Sequence, residues 1–214
     1  LLLEADPLPQ ADILIIDSAY AGKQISQEEQ YNRLVETARQ VTEAGGRLLL
    51  PVPANGRGLD MFIWLSRSDL PLYTESSIVK NGEKLSRQTA WIKPFNLPQE
   101  GYTAVNNENR DAILNSGEPG IFLFGDGMMT SPVSSMYFDA VRNDSRSRII
   151  ISGHSAKGTL ANDLLQEDWR IRNDVKAAAE RLTIKVHNDE QDVLDLVEKV
   201  QPKSVMLFHS DRSN

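Results

Sequence analysis

Short apolar runs alternate along the chain with longer segments in which apolar residues recur every three to four positions. The runs predict strands buried on both faces, and the periodic segments predict amphipathic helices. The predicted strands cover residues 12–16, 47–52, 70–74, 121–124, 148–151, 182–186 and 204–208. The predicted helices cover residues 27–44, 58–66, 107–115, 133–142, 159–166, 174–180 and 190–200. This alternation indicates an α/β fold with a mostly parallel sheet flanked by helices.

The pattern weakens between residues 75 and 106. This stretch is polar and contains prolines, and Trp91 and Phe95 are its apolar anchors. We assign no regular element to it.

The composition narrows the class of protein. The chain has 214 residues and no cysteine, which excludes disulfides and thiolate ligands, so that a metal would need histidine and carboxylate donors. The lack of cysteine favours a cytoplasmic location. No apolar run approaches the roughly 20 residues that span a bilayer, so we expect no membrane partner. A net charge of −7 argues against an independent nucleic-acid binder, unless positive charge comes from elsewhere.

Three chemically active side chains follow the ends of predicted strands: Asp17, His187 and His209. Taken singly, each is typical of a structural residue, but parallel strands bring their carboxyl ends to one rim of a sheet. An acid paired with a histidine suits a general acid, and a second histidine suits a divalent metal. A single zinc held by all three is less favoured, because the chain contains no H-x-H or H-E-x-x-H pair.

Glycine-bearing loops follow three predicted strands, at residues 55–58, 125–128 and 153–159. Turn chemistry alone explains such loops, although their backbone N–H groups can also face a ligand. The third loop is not a nucleotide-binding P-loop, because Thr159 follows Gly158 directly and no lysine stands between them. Arg57, in the first turn of a helix, opposes the helix dipole and predicts a carboxylate or phosphate partner, either internal or on a ligand.

Six short segments resemble, in order, the motifs of one known family. They are residues 15–20 (IIDSAY, motif A), 50–57 (LPVPANGR, against P-x-F-A-x-G-R), 125–129 (GDGMM, against S-x-G-M-[LM]), 151–160 (ISGHSAKGTL, against G-Y-x-x-x-G-T-L), 187–189 (HND, motif B, against S-A-H-x-D) and 207–211 (LFHSD, motif C, against V-H-G-E). The family is the β-CASP branch of the metallo-β-lactamase superfamily, and the resemblance is strongest to its RNA-processing nucleases, such as ribonuclease J and the messenger-RNA 3′-end processing endonuclease.

The resemblance implies a zinc-dependent nuclease and gives each site residue a role. Asp17 would orient His187, which would contact the scissile phosphate and protonate the leaving oxygen. His209 would be a zinc ligand, and histidine at motif C favours RNA over DNA as the substrate. Substrate binding would fall to residues of the glycine-bearing loops: Arg57, Ser155, Gly158 and Thr159.

The chain also departs from the family pattern. Lys185 and Val186 replace Ser-Ala before motif B, residues 210–211 replace Gly-Glu, and no histidine precedes His154, so the family's H-x-H-x-D-H zinc cluster is missing. We therefore expect a β-CASP domain at residues 23–172, between flanking lactamase-side segments at 1–22 and 173–214. Zinc would bind fully only in the full-length protein, with the missing metallo-β-lactamase half as partner, and this chain alone would be inactive. Homodimerisation stays open.

Two other functions remain open. One is a non-catalytic RNA-processing subunit or scaffold, which the altered surroundings of motifs B and C favour. The sequence upstream of Leu1 would distinguish such a subunit from the enzyme, because only the enzyme requires H-x-H-x-D-H there. The other is a flavodoxin-like small-ligand domain, which would bind a nucleotide or flavin and would not depend on His187.

Overall fold

The computed structural model of the chain describes residues 7–88 and 94–209. The chain divides into a larger unit, residues 31–184, and a smaller unit, which joins the segment up to residue 30 with the segment from residue 185. The expected anchor Trp91 lies outside the described residues, as do the motif C positions Ser210 and Asp211. Over the described ranges, no helix has the length and apolar character needed to cross a membrane.

Strands and helices alternate along most of the described residues. The strands are β1 (Ile13–Asp17), β2 (Arg47–Pro51), β3 (Leu72–Glu75), β4 (Thr103–Val105), β5 (Gly120–Phe124), β6 (Arg148–Ile151), β7 (Ala178–Arg181) and β8 (Ser204–Phe208). The helices are α1 (Gln27–Glu43), α2 (Arg57–Leu65), α3 (Ser76–Ser86), α4 (Arg110–Asn115), α5 (Pro132–Asp139), α6 (Leu160–Leu164), α7 (Glu167–Arg172) and α8 (Glu190–Val200). The predicted α/β fold with a parallel sheet flanked by helices is confirmed.

The larger unit is built on a six-stranded parallel sheet in the order β4-β3-β5-β2-β6-β7. Its central strands β2 and β5 are buried along their whole length. Alternate side chains of β2 enter opposite layers of the core: Leu48 and Leu50 pack with α1 and α2, whereas Leu49 packs with α5 and α6. Helices therefore cover both faces of the sheet, as expected for strands that are apolar throughout.

The strand order creates two crevices at the carboxyl edge of this sheet. The chain leaves β3 toward β4 on one side and leaves the neighbouring β5 toward β6 on the other side. The chain likewise leaves the neighbours β2 and β6 in opposite directions, toward β3 and β7. Loops that diverge in this way leave a crevice between two strands, and ligands of open α/β sheets bind there.

Two predicted elements near the end of the larger unit are wrong. Residues 174–180 do not form a helix, and the strand expected at 182–186 lies earlier, as β7, which pairs with β6 from Arg148 opposite Ala178 to Ile151 opposite Arg181. The sequence Ala-Ala-Ala-Glu favours a helix, but pairing along the sheet edge overrides that propensity. Residues 182–184 continue beside β6 through a hydrogen bond from the Leu182 N–H to the Ile151 carbonyl oxygen, at 3.1 Å.

The unassigned stretch 75–106 contains one helix, α3, and one edge strand, β4. Gly82 interrupts the helical pattern of α3, yet it is buried where the helix meets its neighbours. A Cβ atom at this position would lie 2.8 Å from methyl carbons of Leu59 and Leu97. The residue that weakens the sequence signal is therefore the one that allows α3 to pack closely.

The smaller unit contains a two-stranded parallel sheet, β1 with β8, and helix α8. Ile16 and Val200 are buried, but every residue of β8 is exposed. Large apolar side chains on both strands are more than half exposed: Ile13, Ile15, Met206, Leu207 and Phe208. A sheet of two strands is marginally stable by itself.

Candidate functional site

The carboxylate of Asp17 bridges the two histidines of the smaller unit. Its Oδ2 lies 2.6 Å from Nδ1 of His187, and its Oδ1 lies 3.2 Å from Nδ1 of His209. The parallel pairing of β1 with β8 sets Asp17 opposite Phe208, so that the next residue, His209, reaches the same carboxylate. The two imidazole rings stand nearly perpendicular, with centroids 4.8 Å apart. The structure therefore brings together the three residues that the sequence predicted as one site.

Backbone contacts fix the two turns that carry Asp17 and His187. The buried Ser18 donates from its N–H (3.0 Å) and its hydroxyl (3.1 Å) to the carbonyl oxygen of Phe208. Asn188 donates from its side-chain amide to the carbonyl oxygen of Asp17 (3.0 Å), and its own carbonyl accepts from the N–H of Tyr20 (3.2 Å). The ends of β1 and β8 and the turn before α8 are thus tied together by main-chain groups.

The site keeps Asp17 ionised. Burial by itself would raise the pKa of Asp17, but the hydrogen bond and the charge of His187 lower that pKa below its usual value. An ionised carboxylate behind Nδ1 fixes the tautomer and the orientation of an imidazole ring. In the part of the chain that the structure describes, neither Nε2 atom has a hydrogen-bond partner, so both are available for chemistry.

The donor set fits a zinc site in part. Ligand atoms of Asp17, His187 and His209 lie within 4.8 Å of one another, and imidazole nitrogen and carboxylate oxygen are donors that zinc accepts. Both oxygens of Asp17, however, already accept from Nδ1 atoms. The free donors are therefore the two Nε2 atoms, and Asp17 stands behind them as the carboxylate that orients a metal-binding histidine.

Lys185 is a residue of this site that sequence reasoning missed. It appeared only as a departure from the family pattern, but its ammonium contacts Oδ2 of Asp189 at 2.9 Å and Oδ2 of Asp192 at 2.7 Å. Lys185 precedes α8, so no helical spacing rule connects it with Asp189, and the sequence carries no signal for this contact. The ion pairs hold the turn that carries His187 against the start of α8.

Asp189 caps α8 and forms a capping box with Asp192. Burial alone would raise the pKa of Asp189. Backbone hydrogen bonds from Asp192 and Ile25, together with Lys185, instead lower that pKa to about 2. Asp189 therefore stays ionised across the physiological range.

In the larger unit, Arg57 and Gly153 meet at the crevice between β2 and β6. Arg57 is the first residue of α2, and its guanidinium lies directly over Gly153, which follows β6 by two residues. A Cβ atom at Gly153 would overlap that guanidinium. Glycine is needed here because the arginine approaches the backbone closely.

The other predicted substrate-binding residues lie in the same loop, but they do not share one environment. Ser155 is buried, and its hydroxyl accepts a hydrogen bond from the Arg181 guanidinium at 2.7 Å. Arg181 also donates to the carbonyl oxygen of Gly153. Gly158 has φ +81°, and Thr159 caps α6 by accepting from the N–H of Asn162. Arg181 was missed because it ends β7, the strand that the sequence pattern misplaced.

Asp126 organises the loop after β5. Its carboxylate accepts from the N–H groups of Thr130 and Ser131, both at 2.6 Å, and from the hydroxyl of Ser134 at 3.0 Å. Burial would raise the pKa of Asp126, but these hydrogen bonds, chiefly those from Ser131, hold it below the usual value. The loop between β5 and α5 is therefore closed around an ionised carboxylate.

We expect Asp126→Asn to lower the free energy of unfolding at pH 7 by about 1–2 kcal/mol, because it loses charge-assisted hydrogen bonds at a helix start. The folded-state pKa of Asp126 lies below its unfolded value of about 3.9, so its contribution is complete above that value and is lost as the pH falls through the folded-state pKa. Urea unfolding at pH 7 and pH 3 should show the two proteins converging at the lower pH. An equal gap at both pH values would contradict this account. Asp139→Asn, at an exposed site in α5, is the matched control.

Comparison with known proteins adds independent evidence. Residues 61–164 match the Beta-Casp domain family. The chain is 27% identical, over 96% of its length, to cleavage and polyadenylation specificity factor subunit 3 of Dictyostelium discoideum. It is 26% identical, over 91%, to transcription termination factor FttA of Pyrococcus abyssi, and 26% identical, over 97%, to endoribonuclease YSH1 of Yarrowia lipolytica. The chain spans only 29%, 35% and 28% of these three relatives.

Proposed function

Because the chain belongs to the β-CASP family of the metallo-β-lactamase superfamily, we propose that it is the β-CASP part of a zinc-dependent nuclease that hydrolyses phosphodiester bonds in RNA. The observation that carries this proposal is the Asp17 carboxylate, which bridges His187 and His209. These residues occupy the positions of motifs A, B and C. They meet although His187 lies 170 positions and His209 lies 192 positions after Asp17 in the sequence.

Each residue of the site has a distinct task. Asp17 holds both rings by their Nδ1 atoms, which leaves the Nε2 atoms toward the substrate. His187 holds a proton on Nε2 and transfers it to the leaving oxygen as a general acid. His209 offers its Nε2 to zinc, and zinc, when bound, would polarise the scissile phosphate as a Lewis acid. In the larger unit, Arg57 and the loop that contains Ser155, Gly158 and Thr159 would bind the phosphate backbone.

RNA is the favoured substrate for two reasons. Histidine at motif C is typical of the RNA-processing members that the chain resembles, and His209 occupies that position. One relative that covers most of the chain is named an endoribonuclease. The net charge of −7 does not favour binding of a polyanion by this chain alone, so zinc and a further part of the protein would supply the positive field.

We propose that a metallo-β-lactamase half completes the site. The chain has three histidines, of which His187 and His209 join the cluster, and Asp17 already accepts from both of their Nδ1 atoms. The two Nε2 atoms that remain are too few for a hydrolytic metal centre with three protein ligands and an open position. The exposed apolar residues of β1 and β8 support the addition of further strands to this sheet. Residues 1–22 and the part of 173–214 that lies in the smaller unit would then belong to the lactamase side, and residues 23–172 to the β-CASP domain. Residues 173–184, which include β7, lie in the larger unit. This chain alone would be inactive.

The test is cleavage of a labelled single-stranded RNA by the full-length protein, with a DNA of the same sequence as comparison. We expect cleavage of the RNA with zinc, loss of cleavage with a chelator, and recovery when zinc returns. Residues 1–214 alone should cleave neither the RNA nor the DNA. Chelator-resistant cleavage by residues 1–214 would overturn both the zinc mechanism and the need for a second half.

A non-catalytic RNA-processing subunit is the second candidate, because Lys185 and Val186 replace small residues beside His187. The ammonium of Lys185 is engaged with Asp189 and Asp192, and the contact between Asp17 and His187 is intact, which favours the enzyme. The same assay separates the two functions. RNA binding by the zinc-loaded full-length protein without cleavage would support the subunit.

A further inference from the structure

A cleft of about 440 Å³ opens at the crevice between β3 and β5. It lies wholly within the larger unit and contains none of the site residues predicted from the sequence. Its walls are the first turns of α3, the loop between β4 and α4, and the loop after β5. Open α/β sheets bind ligands at this position, and the volume falls in the range of small-molecule sites.

A buried ion pair forms the floor of this cleft. Glu75, at the end of β3, accepts two hydrogen bonds from Arg110 in α4, at 2.7 and 3.0 Å, and both side chains are less than 10% exposed. The hydroxyl of Tyr137 also donates to Glu75, at 2.6 Å, and Asn107 accepts from Arg110 at 3.0 Å. The two charges of the floor therefore neutralise each other, and their geometry is fixed.

The lining of the cleft contains two acids, Glu75 and Asp126, and two bases, Arg110 and Lys80. Glu75 and Arg110 form a pair, and the charge of Asp126 is met by the hydrogen bonds of its own loop. Lys80, in the second turn of α3, is exposed and makes no ion pair within the described ranges. The formal charges of the lining therefore sum to zero, and Lys80 is its one cation outside an ion pair among the described residues.

Three neutral polar groups beside Lys80 can donate hydrogen bonds. The hydroxyls of Ser76 and Ser77 and the side-chain amide nitrogen of Asn107 have no hydrogen-bond partner among the residues that the structure describes, and all three residues line the cleft. An ammonium surrounded by hydroxyl and amide donors suits an anion with several oxygen atoms. Phosphate has this form, and a bare phosphate would fill only part of the cleft.

We propose that this cleft binds a small phosphate ester of nucleotide size, with the phosphate on Lys80, Ser76 and Ser77 and the organic part toward Asn107 and the loop after β5. The proposal rests on the cleft and its lining, and it does not depend on the proposed nuclease activity. Failure of one would leave the other standing.

The test is isothermal titration calorimetry of the whole chain with four probes: inorganic phosphate, ribose 5-phosphate, adenosine 5′-monophosphate and adenosine. We expect the two esters to bind more tightly than inorganic phosphate and adenosine not to bind. Lys80→Ala should weaken ester binding at least about tenfold, since it removes a charge-assisted contact to phosphate. Lys84→Ala, one turn further along the same helix and outside the cleft, should leave it unchanged.

Three outcomes would overturn the proposal. The first is no binding of either ester at millimolar concentration, and the second is an equal affinity of Lys80→Ala and Lys84→Ala for the esters. The third is a requirement for Lys80 in the binding of single-stranded RNA, measured by fluorescence anisotropy, when neither ester binds. That result would assign the cleft to the RNA backbone. Because Lys80 is exposed, its removal should not affect folding, which thermal unfolding checks.

Discussion

Replacing His187 by alanine is expected to slow RNA cleavage by the zinc-loaded full-length protein by about 10²–10⁴-fold, the usual contribution of a general acid. Nδ1 of His187 is held 2.6 Å from the Asp17 carboxylate, and its Nε2 has no hydrogen-bond partner among the described residues, so Nε2 is available to transfer a proton. RNA affinity should change little, because the proposed function assigns the phosphate backbone mainly to Arg57 and to the loop that contains Ser155, Gly158 and Thr159. The measurement is the single-turnover cleavage rate with saturating protein, accompanied by the equilibrium affinity for a non-cleaved RNA analogue.

Two variants control this experiment. Asp17→Asn keeps the size of the side chain but removes its charge and one acceptor oxygen, so that the two rings lose their common anchor and the rate should also fall. Glu198→Ala removes an exposed side chain of α8 that lies outside the cluster, and it should change the rate by no more than about twofold. Equal cleavage by His187→Ala and the unaltered protein would remove His187 from the mechanism.

The sequence predicts which edge of the sheet carries this site, but it does not predict the contacts within the site. Apolar runs that end in Asp17 and His209 point to one edge of a sheet, and this expectation is confirmed by the pairing of β1 with β8. The bridge itself was not predictable, because it depends on a register in which Asp17 stands opposite Phe208. A shift of one residue would turn His209 to the other face of the sheet.

The misplaced elements have a common physical cause. A strand at the edge of a sheet is defined by its partner, and the pairing of β7 with β6 is formed by residues about 30 positions apart. Helix propensity depends only on the local sequence, which is rich in alanine here and therefore favours a helix. Because β7 was misplaced, Arg181, which braces the Gly153–Ser155 loop, could not be recognised.

The buried ion pair of Glu75 with Arg110 also could not be predicted from local sequence. Glu75 precedes a stretch with no clear periodicity, and Arg110 lies 35 positions further along the chain, so no spacing rule connects them. Their contact exists only because β3 and β4 are adjacent and parallel, which places the start of α4 over the end of β3. Charged residues are rarely buried, and a sequence pattern alone assigns both to the surface.

We expect Arg110→Ala to lower the free energy of unfolding by about 3–5 kcal/mol, the usual loss when one partner of a buried ion pair is removed. The hydrogen bond with Glu75 raises the pKa of Arg110, and burial together with Glu75 raises the pKa of Tyr137, so the guanidinium stays charged and the phenol stays protonated. Without Arg110, the carboxylate of Glu75 would keep only the Tyr137 hydroxyl as a partner. Guanidinium chloride unfolding at pH 7 measures the loss.

The exposed ion pair of Arg33 with Glu180, at 2.9 Å, is the matched control, and Arg33→Ala should cost no more than about 1 kcal/mol because water screens that pair. The double variant Glu75→Gln, Arg110→Met separates two origins of the effect. If the loss comes from a carboxylate left buried and poorly paired, the double variant will be more stable than Arg110→Ala, since neither residue is then charged. Equal losses for Arg110→Ala and Arg33→Ala would show that the pair under the cleft does not stabilise the fold.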